Sequence, residues 1–585
     1  MVVVIGAGPA GLTAAYELAK FQCGSVVLEK QSTVGGLART ENYKGYYFDL
    51  GGHRFFTKSK EVIALWHEIL GQDFLRRPRL SRIYYSGKFF YYPLKPLNTL
   101  LQLGLFESTV VMLSYIKWQL FPYGREDTFE EWVTNRFGKR LFQTFFETYT
   151  EKVWGIPCSE LKAEWAAQRI KDLSLKSILV SMFFKPKNKI KTLIEEFEYP
   201  RRGPGMLWNA VKDVIEKDHG MVRLNHDVRR INRNGDRVES VLVCCNGEEQ
   251  LFTGSHFISS MPVSEFIKRL DPPPPSDVLE AAGRLRYRDF LTVCLIVNRA
   301  DVFPDNWIYV HDPSVKVGRV QNFKNWSPEM VSDLSKTSLG LEYFCNEGDE
   351  IWNMPDAELL DMAKREIDHI GLTSYEDVED GCVMRVSHSY PMYDSDYRAH
   401  LNIIRDYLKR FENFQTIGRN GLHRYNNQDH AMLTGMFAAR NLLLGTKHDL
   451  WSVNEEQEYH EEIYGEDMDE QEVIAMVQTA VEEGFGKLHR VGFGLSIGIT
   501  AGFVLFVTTL WLVIKGGESV GPTLALLGQF IPGYTVSPVG SVIGLCYAFA
   551  GGFIGGYLFA LVRNAILFLW VAMIRKRAER EMLAK

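Results

Sequence analysis

Along most of this chain the apolar residues fall in short strand-length or helix-spaced runs, and only near the C-terminus do they merge into two uninterrupted stretches. Met1 to Ile5 reads as a buried strand, Leu12 to Leu18 as a helix and Ser25 to Leu28 as a second strand. Helical spacing recurs between Arg54 and Gly71, through Glu61, Leu65, Trp66 and Leu70. Arg82 to Tyr85 and Lys88 to Tyr92, around Ser86-Gly87, give a hairpin signal. Residues 97–195 are mostly helical in pattern, including Phe129 to Val133 and Phe145 to Trp154. The loop Tyr199 to Met206 leads to a helix over Leu207 to Glu216, then to strands over Val222 to Val228, Val238 to Cys244 and Gln250 to Ile258. After the linker Asp271 to Pro275, four runs predict an antiparallel sheet: Thr292 to Asn298, Trp307 to His311, Gly318 to Phe323 and Ser338 to Phe344. A helix over Leu401 to Phe411, a strand over Phe414 to Ile417 and a helix over Ala431 to Asn441 bring the chain back, and Glu455 to Glu483 is acidic and helix-prone.

The two long stretches are of another kind. Val491 to Ile514 and Val539 to Leu561 carry no charge, and each exceeds the ~20 residues that cross a bilayer. Two such lengths in succession favour a transmembrane hairpin over a buried core hairpin, and Gly551-Gly552-Phe553-Ile554-Gly555-Gly556 suits close helix packing. Ala565 to Ile574 is too short to span again, so it extends the helix or lies in the interface. Lys487 and Arg490 stand before the hairpin and Arg575-Lys576-Arg577 after it, with Lys515 and Glu518 between. The positive-inside rule then puts both ends in the cytoplasm, on an inner or plasma membrane. Ser174 to Lys191 joins an apolar run to Lys185, Lys187, Lys189 and Lys191. It suits a membrane-surface or substrate-flap element as well as a core helix ending in a solvated basic loop.

At 585 residues the chain is too long for one simple domain. A net charge of −6 argues against a nucleic-acid partner. The eight cysteines, at 23, 158, 244, 245, 294, 345, 382 and 546, show neither metal-ligand nor redox spacing. They read as small buried residues in a reducing compartment, with no metal site. The chain opens directly into its first strand without a signal peptide, so the catalytic part is expected in the cytosol.

Chemistry enters with Gly6-Ala7-Gly8-Pro9-Ala10-Gly11, set between the first strand and first helix, and Glu29 at the end of the second strand. This is the order and spacing of a dinucleotide-binding unit. Gly6 makes the tight turn, Gly8 admits a pyrophosphate and Gly11 lets the helix pack close. The helix N-terminus, near Ala10, offers N–H groups to phosphate. Glu29, with Lys30 beside it, can accept from ribose hydroxyls. A second Gly-rich loop, Gly35-Gly36-Leu37-Ala38-Arg39-Thr40, and then Tyr47-Phe48-Asp49-Leu50-Gly51-Gly52-His53 follow, which an NAD-binding domain has no need of.

Those loops resemble the flavoprotein superfamily of amine oxidases, protoporphyrinogen oxidase, phytoene desaturase and UDP-galactopyranose mutase. The resemblance implies FAD, with Arg39 on its pyrophosphate, Gly36 and Leu37 beside it, Gly52 and His53 by the flavin ring and Val228 near the adenine. Further stretches narrow it: Gly418-Arg419 to Tyr425 and Asn426-Asn427-Gln428-Asp429-His430, Gly318-Arg319 to Asn325-Trp326, His388-Ser389-Tyr390-Pro391, Lys152-Val153-Trp154 and Tyr92-Pro93. Together they look like UDP-galactopyranose mutase, notably its eukaryotic-type members, over residues 1–450. Gly418, Asp429 and His430 then join the cofactor side, where a helix N-terminus can face the flavin. The resemblance assigns Arg319, Arg419, Tyr390 and Tyr425 to a diphosphate clamp. It adds Tyr92, Pro93, Lys95, Trp154 and Asn325 on the substrate side, and His53 tuning the flavin.

The implied reaction interconverts pyranose and furanose without net redox change, reduced flavin N5 attacking the anomeric carbon as diphosphate leaves. NAD(P)H would only prime the flavin. Two positions depart from the mutase pattern: Lys95 stands where a glutamine helps read uracil, and Thr150 where an asparagine is expected. With the hairpin, this opens a polyprenyl-diphosphate sugar of cell-envelope glycan synthesis as substrate beside a nucleotide sugar. An FAD-dependent oxidoreductase of a lipid, isoprenoid or porphyrin, and a non-catalytic FAD-bound membrane scaffold, are the other classes.

The expected fold class is α/β: a discontinuous, GR2-type Rossmann-like FAD domain (residues 1–75, 196–270 and 395–450), with a helical substrate part (76–195) and an antiparallel-sheet part (271–394) inserted. An acidic helical linker (451–490), two transmembrane helices (491–574) and a basic cytoplasmic tail (575–585) complete it.

Overall fold

Five short strands from three distant parts of the chain form one parallel sheet, in the order Phe414–Thr416, His256–Ser259, Val2–Ile5, Ser25–Leu28, Gly220–Arg223. The structure, a computed structural model, describes residues 1–92, 94, 96–163, 196–394, 396–454, 488–516 and 521–582. Pro93, Lys95, the segment 174–191 and the acidic stretch 455–483 lie outside the described residues. Val2–Ile5 and Ser25–Leu28 are buried at every position, as strands covered on both faces must be. Val2, Val4 and Val27 pack under the helices Pro9–Lys20, Pro204–Lys217 and Gln428–Leu444. Val3, Ile5, Val26 and Leu28 face the layer built from residues 227–285 and 393–414. The helices Pro9–Lys20 and Gln428–Leu444 approach closely because Gly435 has no side chain: a Cβ there would sit 2.3 Å from the Ala10 carbonyl oxygen.

Two expected strands are each divided. Val222 to Val228 spans Gly220–Arg223 and the start of Asp227–Asn234, with Asn225 at φ +58° between them. Gln250 to Ile258 spans Glu248–Thr253 and His256–Ser259, which lie in different sheets. Both breaks fall on polar runs, Asn225-His226-Asp227 and Thr253-Gly254-Ser255-His256, over which a single strand is expected.

A second sheet runs in the order Val378–Pro391, Tyr287–Val297, Thr337–Cys345, Arg319–Asn322, Trp307–Val310, Ser81–Tyr85, Lys88–Tyr91. It is mixed rather than antiparallel, because the hairpin Ser81–Tyr91 adds on with Trp307–Val310 parallel to Ser81–Tyr85. Its 14-residue edge strand Val378–Pro391 is hidden in the sequence by Asp380-Gly381. Gly381 is required there, since a Cβ would come 2.4 Å from the Cys294 carbonyl oxygen. Against this sheet stand Phe129–Phe137, capped by a Thr128–Glu131 box, then Lys139–Phe142, the π-helical turn Gln143–Glu147 and Thr148–Trp154.

The C-terminal unit contains Arg490–Lys515 and Pro538–Met582. Both contain stretches long and apolar enough to cross a membrane, with mean hydropathy 2.3 and 1.8. Gly494, Gly498 and Gly502 face the second helix, where Cβ atoms built on Gly552 and Gly556 would come 3.0 and 3.1 Å from the Gly498 and Gly494 Cα atoms. Gly551 and Gly555 face open space. The residues 565–574 continue the second helix.

Candidate functional site

One cavity of about 900 Å³ lies between the parallel sheet, the mixed sheet and the helical wall. The turn Gly6–Gly8, the start of helix Pro9–Lys20, Glu29, Lys30, Gly36, Leu37, Arg39 and Val228 line one end. Gly6 has φ +95°, and a Cβ there would strike Ser260 Oγ at 2.3 Å. Gly36 has φ +54°, and its Cβ would come within 3.1 Å of the Gly8 Cα, so the two Gly-rich loops touch backbone to backbone. Gly11 lies behind the cavity wall: a Cβ would sit 1.9 Å from the Gly6 carbonyl oxygen, which closes the turn onto the helix. That helix has neither a side-chain cap nor an acid in its first turn, which leaves its N–H groups for an anion. Glu29 accepts from the Ala7 and Gln31 amides at 2.8 and 2.9 Å, and each oxygen keeps a further acceptor position for a hydroxyl. Arg39 is held by Glu41 at 2.6 Å and by the Gly36 carbonyl at 3.1 Å. Close-approach glycines, free helix amides and an anchored acid fit the dinucleotide of FAD.

Midway along the cavity, Gly51-Gly52-His53 presses on the mixed sheet. Cβ atoms at Gly51 and Gly52 would approach Arg319 Nη2 to 3.7 Å and Gln321 Nε2 to 2.9 Å. Gly418, at φ +81°, packs on Ala10 and donates its N–H to Thr434 Oγ1. It leads through Arg419 to helix Gln428–Leu444, which begins in the cavity with Asp429 and His430. The Asn427 amide donates to His430 Nδ1 at 3.2 Å. Burial, with Arg424 adding, lowers the His430 pKa to about 4.

The two arginines are brought together but are held differently. Arg319 donates Nε to Glu342 Oε2 at 2.9 Å and makes a second contact through Nη2. Glu342 is fully buried and also accepts from Gln321 at 2.9 Å. Its carboxylate holds Arg319 charged against the desolvation of the site. Among the described residues no carboxylate pairs with Arg419. Its guanidinium lies 4.9 Å over the Tyr390 ring and 4.1 Å over the Tyr425 ring, while Tyr390 and Tyr425 stack at 5.6 Å. Arg419 Nη1 donates to the Asn426 carbonyl at 3.3 Å, and its buried Nε has no partner. His53 is kept neutral down to about 3 by burial and then by Arg419 and Arg319, with Nδ1 buried and unpartnered. A half-buried cation without a carboxylate, flanked by aromatic rings, calls for an anion.

The helical wall adds Phe129, Phe137, Phe145, Tyr149, Thr150 and Trp154. Trp154 packs edge-on against Tyr390 at 6.3 Å, and Tyr92 packs on Tyr309 at 5.0 Å. Tyr149 stacks on His311 at 4.8 Å. Asn325 is not brought to the cavity: its amide donates to the Phe303 and Asp305 carbonyls at 2.8 and 2.9 Å and holds that loop. Lys152 likewise serves structure, its ammonium donating to the Val310, Asp312 and Val317 carbonyls. Sequence reasoning missed Glu342, Gln321, Tyr149, Tyr309 and His311. A single acid inside the apolar run Leu339-Gly340-Leu341-Glu342-Tyr343-Phe344 was the available signal for the first.

The family of flavin containing amine oxidoreductases matches residues 9–443, well over half of the chain. The chain belongs to this family. FAD is its cofactor. Among curated relatives of this flavoprotein, the 15-cis-phytoene desaturase of Narcissus pseudonarcissus is 25% identical over 294 residues, 46% of this chain and 49% of the desaturase. The chain thus spans about half the length of that relative. Among solved structures, a reduced UDP-galactopyranose mutase superposes with a TM-score of 0.69 at 20% identity, over 79% of this chain and 99% of the mutase. A putative protoporphyrinogen oxidase from Exiguobacterium sp. 255-15 gives 0.59 at 16% identity, over 76% of this flavoprotein and 99% of the oxidase. At these identities the likeness establishes the α/β flavoprotein fold.

Proposed function

We propose that this flavoprotein is a UDP-galactopyranose mutase-like isomerase of a sugar diphosphate, interconverting pyranose and furanose forms at a membrane to which its C-terminal hairpin anchors it. The observation that carries this reading is Arg419, packed beside the stacked Tyr390 and Tyr425 rings with no carboxylate paired to it among the described residues, in the same cavity as Arg319 and the Gly51-Gly52-His53 turn. Reduced FAD, when bound, supplies the nucleophile for the anomeric carbon. The chain's own part is electrostatic. Arg419 and Arg319 hold the diphosphate through the stages in which it carries leaving-group charge, and the Tyr390 and Tyr425 hydroxyls donate to its oxygens. Neutral His53 adds no competing positive charge and leaves Nδ1 free for a hydrogen bond. The aromatic wall keeps water from the opened sugar.

The carrier attached to the diphosphate is a polyprenyl chain in our reading. The apolar rings of Phe129, Phe137 and Phe145 line the same cavity as Tyr149, and the chain carries two helices of spanning length. The second reading, an oxidoreductase of a lipid or isoprenoid, is favoured by the same apolar wall and by the desaturase relative.

The test is an assay of the full chain, oxidised and dithionite-reduced, on UDP-galactose and on a polyprenyl-diphosphate galactose. Interconversion on the lipid-linked sugar, only after reduction, supports the proposal. Turnover of UDP-galactose alone removes the lipid carrier. Substrate-dependent flavin bleaching without pre-reduction replaces the mutase with the oxidoreductase.

A further inference from the structure

The helix Leu105–Leu120 has two unlike sides. Inward, Val111 is buried, and Met112 and Tyr115 pack with it against Phe129, Phe137, Leu141 and Phe142. Outward, Phe106, Leu113, Ile116 and Leu120 are exposed at 82, 62, 49 and 67%. Their spacing of seven, three and four residues puts them on one helix face. Leu101, in the preceding helix Pro96–Leu103, and Phe121, just past the helix end, are also exposed, at 73 and 72%. Elsewhere among the described residues 1–454, large exposed apolar side chains such as Phe21, Leu251, Leu334 and Leu444 stand singly. Monomeric soluble proteins rarely leave more than roughly a few hundred Å² of contiguous apolar surface open.

Of the polar residues, Thr109 and Lys117 fall on the outward face by the same spacing, and a lysine stem can carry its charge up to headgroup level. Glu107 is ion-paired with Arg140. At the other end the Lys117 ammonium lies 5.6 Å over the Trp118 ring, and Trp118 stacks on Tyr123 at 4.5 Å. Amphipathic rings beside a cation are the side chains that settle at a membrane–water interface.

We propose that the outer face of Leu105–Leu120 is a second membrane-contact surface, lying in the headgroup–acyl boundary of one leaflet. Phe106, Leu113, Ile116 and Leu120 enter the acyl region, and Lys117, Trp118 and Tyr123 stay at headgroup level. The occupant is a bilayer because the same chain carries two helices of spanning length, so the inference rests on their reading as membrane spans. Its consequence is positional: Phe129 and Phe137, which line the cavity, belong to the helix directly beneath this face.

The experiment uses the full chain reconstituted in phosphatidylcholine–phosphatidylglycerol vesicles, with an environment-sensitive fluorophore on Phe106→Cys, Leu113→Cys or Leu120→Cys and on the exposed control Glu249→Cys. The signal of the identically treated parent, with its native cysteines, is subtracted. The expected result is flotation with the vesicles, with blue-shifted emission at 106, 113 and 120 that brominated acyl chains quench at least twofold, and neither effect at 249. Flotation with all four labels equally water-exposed overturns the surface and leaves the spans standing. Labels shielded from water but unquenched by brominated lipid, increasingly so at higher protein density, overturn it in favour of a second copy of the chain. A chain that does not float loses both the spans and this surface.

Discussion

Arg319 and Arg419 sit in one cavity with opposite needs. Arg319 already has its counter-charge, so Glu342→Gln leaves a cation enclosed without one. The expected cost is about 3–5 kcal/mol of stability, read as a lower melting temperature of the purified protein; unchanged melting would mean that Arg319 does not depend on Glu342. Among the described residues no carboxylate pairs with Arg419, so Arg419→Lys keeps the charge but loses the fork and the stacking on Tyr390 and Tyr425. Losing a charge-assisted hydrogen bond of about 1.5–3 kcal/mol lowers kcat/KM for a sugar diphosphate roughly 10- to 100-fold, with FAD content unchanged. Loss of FAD instead would place Arg419 in cofactor binding. The enclosed histidines give a pH prediction. His53 and His311 stay neutral down to about 3, and His423 and His430 down to about 4. In the unfolded chain each takes a proton near 6.5. Their contribution to stability is therefore present above about 6.5 and is lost as pH falls from there towards 4. Asp49 acts the other way: burial pushes its pKa up to about 7 from 3.8, so its contribution declines as pH rises through that window. His256 and His388 are lowered as well, and Glu147 and Asp305 raised. The histidines outnumber the acids, so the melting temperature is expected to fall between pH 7 and pH 5; a rise would contradict the enclosed neutral imidazoles.

At the scale of elements, local units were legible and long-range pairings were not. Strand, Gly-rich turn, helix, strand and acid lie within the first 29 residues, where a Cβ on Gly11 would strike the Gly6 carbonyl of the same turn and one on Gly6 would strike Ser260. Gly11→Val, whose Cβ would overlap the Gly6 carbonyl, is expected to yield colourless protein without FAD; yellow protein at wild-type stoichiometry would mean the turn tolerates opening. The changes of sheet at Asn225 and Gly254, by contrast, are marked only by short polar runs between apolar segments that otherwise read as single strands. Nothing in the hairpin around Ser86-Gly87 foretold its parallel pairing with Trp307–Val310, because that register is set by residues more than two hundred positions away. In the C-terminal hairpin the double-glycine run of Pro538–Met582 was visible, but only Gly552 and Gly556 of it face the partner helix. Gly498→Leu is expected to spread the two helices and speed proteolysis in detergent, whereas Gly551→Leu, in open space, leaves the rate unchanged. Equal rates would mean that close backbone approach does not hold the hairpin.

For the whole molecule, the opening fingerprint led to FAD, while the use made of FAD depends on residues some three hundred positions later. Arg319, Tyr390, Arg419 and Tyr425 stood out in the sequence only as a set, and the fold brings all four to one cavity with His53. What the sequence could not convey was their inequality, since Glu342 balances the charge of Arg319 while, among the described residues, no carboxylate balances Arg419. Cleavage of the bond between the anomeric carbon and the diphosphate is therefore the step that the proposed mutase requires and an oxidoreductase does not. Positional isotope exchange reads that bond directly, using a polyprenyl-diphosphate galactose with oxygen-18 in the bridge to the sugar. With the dithionite-reduced full chain, the label is predicted to move into non-bridging phosphate positions, and to stay in the bridge with the oxidised chain. A label that remains in the bridge under reduction, while a lipid or isoprenoid bleaches the oxidised flavin, would contradict the proposed mutase.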